Sequence, residues 1–121
     1  ETVDRQIRQQ AFQPVLLTRY YRFTLVSRKA PERITFDTCI SFNSGRSSVS
    51  YPGLVIGEIK YEKSVRDSPA RSALRSMGIG KRGFSKYCTG VSLLYDRLKH
   101  NRFKENLIFI SRIASGVFAV C

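Results

Sequence analysis

Three stretches of this chain alternate polar and apolar residues with a period of two, and this pattern constrains the fold more than any other feature. The stretches cover residues 15–25, 33–42 and 54–63 and are rich in β-branched and aromatic residues. Because residues i, i+2 and i+4 of a strand share a face, each stretch separates its side chains into two sets. The first set is charged or polar: Tyr20, Arg22, Thr24, Arg33, Thr35, Asp37, Glu58, Lys60 and Glu62. The second is mostly apolar: Val15, Leu17, Tyr21, Phe23, Ile34, Phe36, Ile40, Val55, Ile59 and Tyr61.

The alternation predicts one antiparallel sheet with an apolar face and a charged face. A charged face of this kind either meets solvent or lines a wet cavity. Short connectors, at residues 27–32 and in the Ser/Gly/Asn-rich segment 43–50, indicate a simple meander of three strands.

Helices are predicted on the C-terminal side of these strands. Ser68 and Pro69 suit the N-cap and first position of a helix over about 69–77, and Gly78 suits its C-cap. A second helix is expected over about 85–100. The N-terminal residues 1–13 fit an amphipathic helix, and the apolar tail 107–121 fits a buried strand or helix, being too short for a membrane span.

The composition points to a polyanionic partner. The 121 residues carry a formal net charge of +12, and the pI is near 10.2. Such a balance favours nucleic acid, an acidic membrane surface or polyphosphate. The three cysteines lack metal or redox spacing, which indicates reduced thiols and a cytoplasmic setting, with Cys39 and Cys88 packed as small apolar groups.

Four short sequence motifs follow one another along the chain. They are Tyr20-Tyr21-Arg22, Arg33-Ile34-Thr35-Phe36-Asp37, Glu58-Ile59-Lys60-Tyr61 and Phe84-Ser85-Lys86-Tyr87. Together they resemble the C-terminal half of the VTC domain, the polyphosphate polymerase module of the vacuolar transporter chaperone family. The resemblance implies an α+β fold, in which an antiparallel sheet forms half of a triphosphate-tunnel (CYTH-like) barrel with flanking helices. It also implies that residues 1–121 form a single partial domain, with the similarity over about 14–100 and the tail 101–121 outside it.

The resemblance further implies roles for six residues. The catalytic set would be Arg22, Arg33, Lys60 and Lys86; these four and Ser85 would bind phosphate. Glu58 matches the family's metal position, for Mn²⁺ or Mg²⁺. The expected ligand is polyphosphate or a nucleoside triphosphate. The expected location is cytoplasmic. This segment would not span a membrane, although it could belong to a complex at the cytoplasmic face of one.

Elementary chemistry supports these roles. An arginine fork grips phosphate oxygens two at a time, whereas the Glu58 carboxylate would repel phosphate unless a divalent cation bridges the two. The alternative for Glu58 is an ion pair with a basic neighbour. Gly83 and Pro31 stand where the family often has further cations, which favours a shorter phosphate chain.

Three other functions compete with the polymerase-like one. A triphosphate hydrolase of the same fold would use water as the acceptor. A basic nucleic-acid-binding domain without catalysis would use the aromatic residues for stacking; Tyr20, Tyr21, Phe23 and Tyr87 are the candidates. The third alternative is a binding module that keeps the phosphate pocket without catalysis.

Overall fold

A computed structural model describes residues 12–63 and 68–113 of the chain, and these residues form an α+β fold. The described part contains four strands, three α-helices and one short 3₁₀ helix. The strands are β1 (Leu17–Val26), β2 (Glu32–Asn43), β3 (Ser48–Tyr51) and β4 (Ile56–Tyr61). The helices are α1 (Pro69–Ser76), α2 (Lys86–Leu94), a 3₁₀ turn (Asn101–Phe103) and α3 (Lys104–Ile113).

The long strand β2 organises the whole sheet. It pairs antiparallel with β1 along one edge, and with both β3 and β4 along the other. The described strands leave the sheet open, not closed into a barrel. The three predicted strands are confirmed, and so is their meander order, because β1 pairs with β2 and β2 pairs with β4, the third predicted strand.

The strand β3 was not predicted. The sequence suggested a turn over residues 43–50, whereas the turn is tighter and ends before Ser48. Gly45 adopts a φ of +85°, and its amide donates to the Asn43 side-chain oxygen at 2.6 Å. This compact reversal leaves residues 48–51 free to pair with the end of β2.

A β-bulge in β2 changes which side chains share a face. Cys39 and Ile40 together oppose Tyr20 of β1, and Cys39 has a φ of +51°. The extra residue shifts the alternation by one, so Ile40 and Phe42 lie on the same side as Asp37. The expectation that Ile40 joins Ile34 and Phe36 is therefore wrong. The prediction that Cys39 is packed is also wrong, since it is exposed.

The hydrophobic core lies where α2 and α3 pack against the end of the sheet. Its buried members are Ile40, Phe42, Leu54, Ile56, Ile110 and Ile113. Ile56 pairs with Asp37 in the sheet register. The core therefore continues the face that carries the charged residues, and the helices cover one end of that face.

The helices agree with the predictions in part. The helix α1 begins at Pro69 as expected, with Ser68 as its N-cap and Gly78 at a φ of +73° after its end. The predicted helix 85–100 ends early, at Leu94, because Tyr95 is extended and its hydroxyl donates to the Val15 carbonyl at 2.5 Å. The tail is helical through Ile113; its remainder and the predicted N-terminal helix fall largely outside the described residues.

A buried carboxylate ties α1 to the sheet. Glu32, at the start of β2, is 7% exposed, and its Oε1 accepts a hydrogen bond from the Ala70 amide at 3.2 Å. A negative charge at a helix N-terminus is favourable because the first amides are unpaired and the helix dipole is positive there. This contact fixes the position of α1 beside the sheet.

The opposite face of β1 is open to solvent. Tyr21, Phe23 and Leu25 are each at least 60% exposed, while Ile34 and Phe36 of β2 are partly covered.

Among the described helices, none has the length and apolar character needed to cross a membrane.

Gly90 of α2 allows close packing of the helix on the sheet. A Cβ atom there would lie 2.5 Å from Phe42 Cδ1 and 2.7 Å from Leu16 Cδ2. We expect Gly90→Ala to lower the free energy of unfolding by about 1–3 kcal/mol, because the buried Phe42 ring must shift. Urea unfolding would measure the change. Gly80→Ala is the control, since a Cβ there meets nothing within 4 Å; equal stability of both variants would contradict the packing argument.

Candidate functional site

The charged face of the sheet carries a small cavity of about 140 Å³. It is lined by Arg22, Thr24, Arg33, Thr35, Glu58 and Lys60. The strand register explains why these side chains meet: Thr24 lies opposite Thr35, which lies opposite Glu58, and Arg33 lies opposite Lys60. Directly opposed residues of neighbouring strands point to the same side of a sheet. The structure thus brings together four of the six predicted site residues.

A buried aspartate organises the inner end of this face. Asp37 is 2% exposed and accepts two hydrogen bonds from Arg22, from Nε at 2.6 Å and from Nη2 at 2.9 Å. Lys86, the first residue of α2, places its Nζ 2.5 Å from Asp37 Oδ2. One carboxylate therefore holds a cation from the sheet and a cation from the helix. This is how Lys86, the fifth predicted residue, joins the charged face.

The protonation of this cluster follows from its contacts. The hydrogen bonds from Arg22, followed by that from Lys86, lower the pKa of Asp37 below its ordinary value, although burial acts in the opposite direction. The same hydrogen bond raises the pKa of Arg22. Asp37 is therefore a carboxylate at neutral pH, and Arg22 is charged.

Tyr20 lies over the same cluster. The Arg22 guanidinium is 5.2 Å from the centroid of its ring, and the Lys86 ammonium is 5.0 Å from it. Both distances are within the range of cation–π attraction. The ring thus helps to hold the two cations side by side.

Asp37 and Tyr20 were absent from the predicted site. The sequence signal for Asp37 is its position four residues after Arg33, which places it on the charged face before the bulge. For Tyr20 the signal is its position two residues before Arg22. Both residues were assigned to the correct face, but their contacts depend on where α2 docks.

Ser85, the sixth predicted residue, is the N-cap of α2 and lies outside the small cavity. Its Oγ accepts a hydrogen bond from the Cys88 amide at 3.2 Å. Within the described residues its hydroxyl hydrogen has no acceptor, so it is available to a ligand near the start of α2. The helix N-terminus adds a favourable field for an anion there.

Glu58 forms an exposed ion pair with its neighbour on the strand. Its Oε1 lies 3.1 Å from Lys60 Nζ, and the two side chains are 50% and 57% exposed. An exposed pair of this kind contributes little to stability and exchanges partners readily. The structure therefore contains the ion pair of the alternative interpretation, and this pair is weak enough to open.

The fit of this site to a divalent cation depends on phosphate. Across residues 12–63 and 68–113, no three His, Cys, Asp or Glu residues lie close enough to form a metal site by themselves. Mg²⁺, however, is commonly bound by one or two carboxylates together with substrate phosphates and water. Glu58 can supply the single carboxylate that such a site needs. The cavity therefore suits a divalent cation that is bound by Glu58 and by a phosphate ligand together.

Comparison with known proteins gives one match. The sequence model of the VTC domain matches residues 1–95, a span that includes all four motifs and all six predicted site residues. No curated protein and no solved structure matches the chain significantly. Because the match covers 95 of the 121 residues, the resemblance is confirmed: the chain belongs to the VTC domain family.

Proposed function

We propose that this domain is a polyphosphate polymerase-like phosphotransferase module, which binds polyphosphate or a nucleoside triphosphate together with Mn²⁺ or Mg²⁺. One observation supports this more than any other: Arg22, Arg33 and Lys60 line one cavity with the Glu58 carboxylate, and Lys86 of α2 joins the same face through Asp37. A face with this combination suits phosphate oxygens and a cation that bridges them to Glu58. We further propose that the open sheet contributes part of a triphosphate tunnel in the complete domain.

The cations retain the donors that phosphate binding requires. A guanidinium has five N–H donors, and Arg22 gives two of them to Asp37, which leaves three for a ligand. Lys86 likewise gives Asp37 one contact and keeps the rest of its ammonium donors. Asp37 therefore acts as a positioning residue, because it fixes both cations without using up their donors.

The proposed reaction moves a phosphoryl group and needs no protein nucleophile. The terminal phosphorus of the nucleoside triphosphate is attacked by a terminal oxygen of the phosphate chain. The new P–O bond forms while the bond to the bridging oxygen breaks, and the nucleoside diphosphate leaves with that electron pair. Such a transfer is catalysed by positioning and electrostatic stabilisation. A divalent cation at Glu58 would supply charge neutralisation.

The arginines and lysines of the face have separate tasks in this scheme. Arg33 and Lys60 lie opposite each other and can hold the chain from two strands. Arg22 and Lys86, both in contact with Asp37, would stabilise the charge that develops on the transferred group. Ser85 would add a hydroxyl donor at the start of α2.

A triphosphate hydrolase remains the second candidate because the site is wet. Glu58 and Lys60 are each at least half exposed, so water can reach the place where the acceptor would lie. The nucleic-acid alternative is less compatible with the geometry. Tyr21 and Phe23 point away from Arg33 and Lys60, on the other face of the sheet, so these two rings could not stack on bases whose phosphates contact the charged face. The Tyr20 ring lies on the charged face, but it is already packed against Arg22 and Lys86.

Ligand binding by the intact protein tests the proposal. We expect tripolyphosphate to bind more tightly than an oligonucleotide of equal charge, and Mn²⁺ to strengthen the binding. Arg33→Gln should weaken tripolyphosphate binding by about 10-fold or more, because a charge-assisted hydrogen bond is worth about 1.5–3 kcal/mol. Calorimetric titration at matched ionic strength would measure all three effects.

The matched control is Arg19→Gln. Arg19 is an exposed arginine of β1 that pairs with Ser41 and does not line the cavity, so its replacement should change affinity less than twofold. Equal affinity for tripolyphosphate and the oligonucleotide, with a steep salt dependence and no effect of Mn²⁺, would indicate nonspecific counterion release. That result would contradict the proposal.

A further inference from the structure

A strongly basic segment connects α2 to α3. Residues 97–104, here called the basic turn, contain four cations and no carboxylate; the cations are Arg97, Lys99, Arg102 and Lys104. All four side chains are exposed. The match to the VTC domain model ends at residue 95. The basic turn therefore lies beyond the matched residues, and it contributes nothing to the proposed phosphate site.

The cations of the basic turn are not neutralised within the described part of the protein. Asp96 and Glu105 flank the turn in sequence, but none of the ion pairs among residues 12–63 and 68–113 includes a cation of the turn. Like charges that lie close together repel each other, and a negatively charged surface would relieve this repulsion. The charge pattern therefore favours an acidic partner.

Apolar side chains lie outward among these cations. Leu98, between Arg97 and Lys99 in the sequence, is 50% exposed. Ile108 of α3 is 43% exposed, and because it follows Lys104 by four residues, the two share one face of the helix. Exposed apolar side chains surrounded by Lys and Arg are typical of surfaces that lie on a membrane, where the apolar groups enter the acyl boundary. Nucleic acid would satisfy the cations but leave Leu98 in water.

The backbone of the basic turn is held in a defined conformation. The Leu98 amide donates to the Tyr95 carbonyl at 3.3 Å, and the Phe103 amide donates to the His100 carbonyl at 2.9 Å. The His100 Nδ1 atom lies 3.0 Å from the Leu98 carbonyl oxygen. The exposure of Leu98 is therefore a feature of the fold and not of a loose loop.

The basic turn lies away from the charged face of the sheet. The helix α2 begins at Lys86, which contacts Asp37 at the inner end of that face. The basic turn follows the opposite end of α2, about 13 Å away for a helix of this length. There the Tyr95 hydroxyl donates to the carbonyl of Val15, ahead of β1. A partner bound to the turn would leave the charged face open to phosphate.

From these observations we propose that the basic turn binds the surface of an acidic phospholipid membrane, with Leu98 inserted among the lipids. The proposal goes beyond the proposed function and does not depend on it. The cations would contact the anionic headgroups, and salt would weaken this attraction. The leucine would add apolar contact that a soluble polyanion cannot provide.

Vesicle binding by the intact protein tests the electrostatic part. We expect binding to mixed phosphatidylcholine and phosphatidylserine vesicles, and none to phosphatidylcholine alone. Arg102→Gln/Lys104→Gln should weaken binding about 20-fold, because each Lys or Arg near an anionic surface contributes about 5-fold. The matched control is Arg28→Gln/Lys29→Gln in the exposed β1–β2 connector, which removes the same charge and should change binding less than twofold. Cosedimentation would measure affinity, and thermal melting would verify folding.

Fluorescence tests the insertion of Leu98. The chain contains no tryptophan, so Leu98→Trp introduces a single reporter at the proposed contact. We expect its emission to shift to the blue when the acidic vesicles are added, because the indole leaves water. Val26→Trp is the control: Val26 is 71% exposed at the end of β1, and its reporter should not shift.

Four results would overturn the proposal. The first is the absence of vesicle binding, and the second is equal weakening by the two double variants, which would show that only net charge matters. The third is an unshifted Leu98→Trp emission, which would leave adsorption without insertion.

The fourth result concerns other polyanions. Tripolyphosphate affinity should change less than twofold in Arg102→Gln/Lys104→Gln, because neither residue lines the cavity on the charged face. If that variant lost affinity for tripolyphosphate or for a DNA duplex more than for vesicles, the basic turn would belong to that polyanion and not to a membrane. Tripolyphosphate binding by the wild-type protein tests the proposed function separately.

Discussion

Asp37→Asn is expected to lower the free energy of unfolding by about 3 kcal/mol at pH 7. Breaking a buried ion pair by removing one partner typically costs about 3–5 kcal/mol, because the remaining charge is left uncompensated. Here the cost should fall at the low end, since Arg22 and Lys86 are 42% and 22% exposed and can recover some hydration. The variant also leaves these two cations next to each other without the carboxylate between them. Urea unfolding monitored by circular dichroism would measure the change.

The effect should depend on pH in a defined direction. The pKa of Asp37 in the folded protein is lowered, first by the hydrogen bonds from Arg22 and then by that from Lys86. A carboxyl group with a lowered folded pKa stabilises the fold above its unfolded pKa, near 3.9, and loses that contribution as the pH falls through the folded value. The difference between wild type and Asp37→Asn should therefore be constant from about pH 5 to 8 and shrink below about pH 4.

Asp96→Asn provides the comparison for an ordinary aspartate. Asp96 is exposed in the turn after α2, and its replacement should stay within about 0.5 kcal/mol of wild type. Two results would show that the ion cluster does not stabilise the fold in this way. One is an unfolding free energy for Asp37→Asn as close to wild type as that of Asp96→Asn, and the other is a full loss of stability that persists below about pH 4.

The shared face of Arg22, Arg33, Glu58 and Lys60 could be predicted because it depends only on strand alternation. Within an uninterrupted strand the period of two is fixed by backbone geometry, and each of these residues lies in such a stretch. The register then brings the strands together through antiparallel pairing. Local sequence was sufficient for this part of the site.

The bulge at Cys39 could not be predicted in the same way. It inserts one residue into the alternation, and nothing in the local sequence marks Cys39 as a residue with a positive φ. Its cause is tertiary, since the shift places Ile40 and Phe42 under α2 and α3, where both are fully buried. Burial of two large apolar side chains outweighs the local strain of one residue.

The contacts of Lys86 could not be predicted from the sequence either. Asp37 and Lys86 are far apart in the chain, and their contact requires α2 to dock at one particular height over the sheet. That docking depends on Gly90, which lets the helix approach Phe42 closely. The motif Phe84-Ser85-Lys86-Tyr87 indicated a phosphate-binding helix start, but it contained no information about the buried partner.

Glu58→Gln, in the intact protein, should reduce metal-dependent phosphoryl transfer by at least about 100-fold. A bound cation supplies several kcal/mol of transition-state stabilisation, and the neutral amide would hold it far less well. Anion binding without metal should stay equal or become tighter, because a negative charge leaves a basic face. Stability should change by less than about 1 kcal/mol, since the Glu58–Lys60 pair is exposed. Turnover, Mn²⁺ affinity and melting temperature, all on one preparation, would separate these effects.

The control is Glu62→Gln, which removes an exposed carboxylate just beyond the end of β4. Glu62 does not line the cavity on the charged face, so this variant should keep its turnover and its metal dependence. If Glu58 were only half of a structural ion pair, Glu58→Gln would instead lower stability, and the residual activity would follow the folded fraction. A stable Glu58→Gln protein with full activity would remove Glu58 from the mechanism. The basic side chains would then form a phosphate-binding surface without the cation bridge that we propose for the transfer reaction.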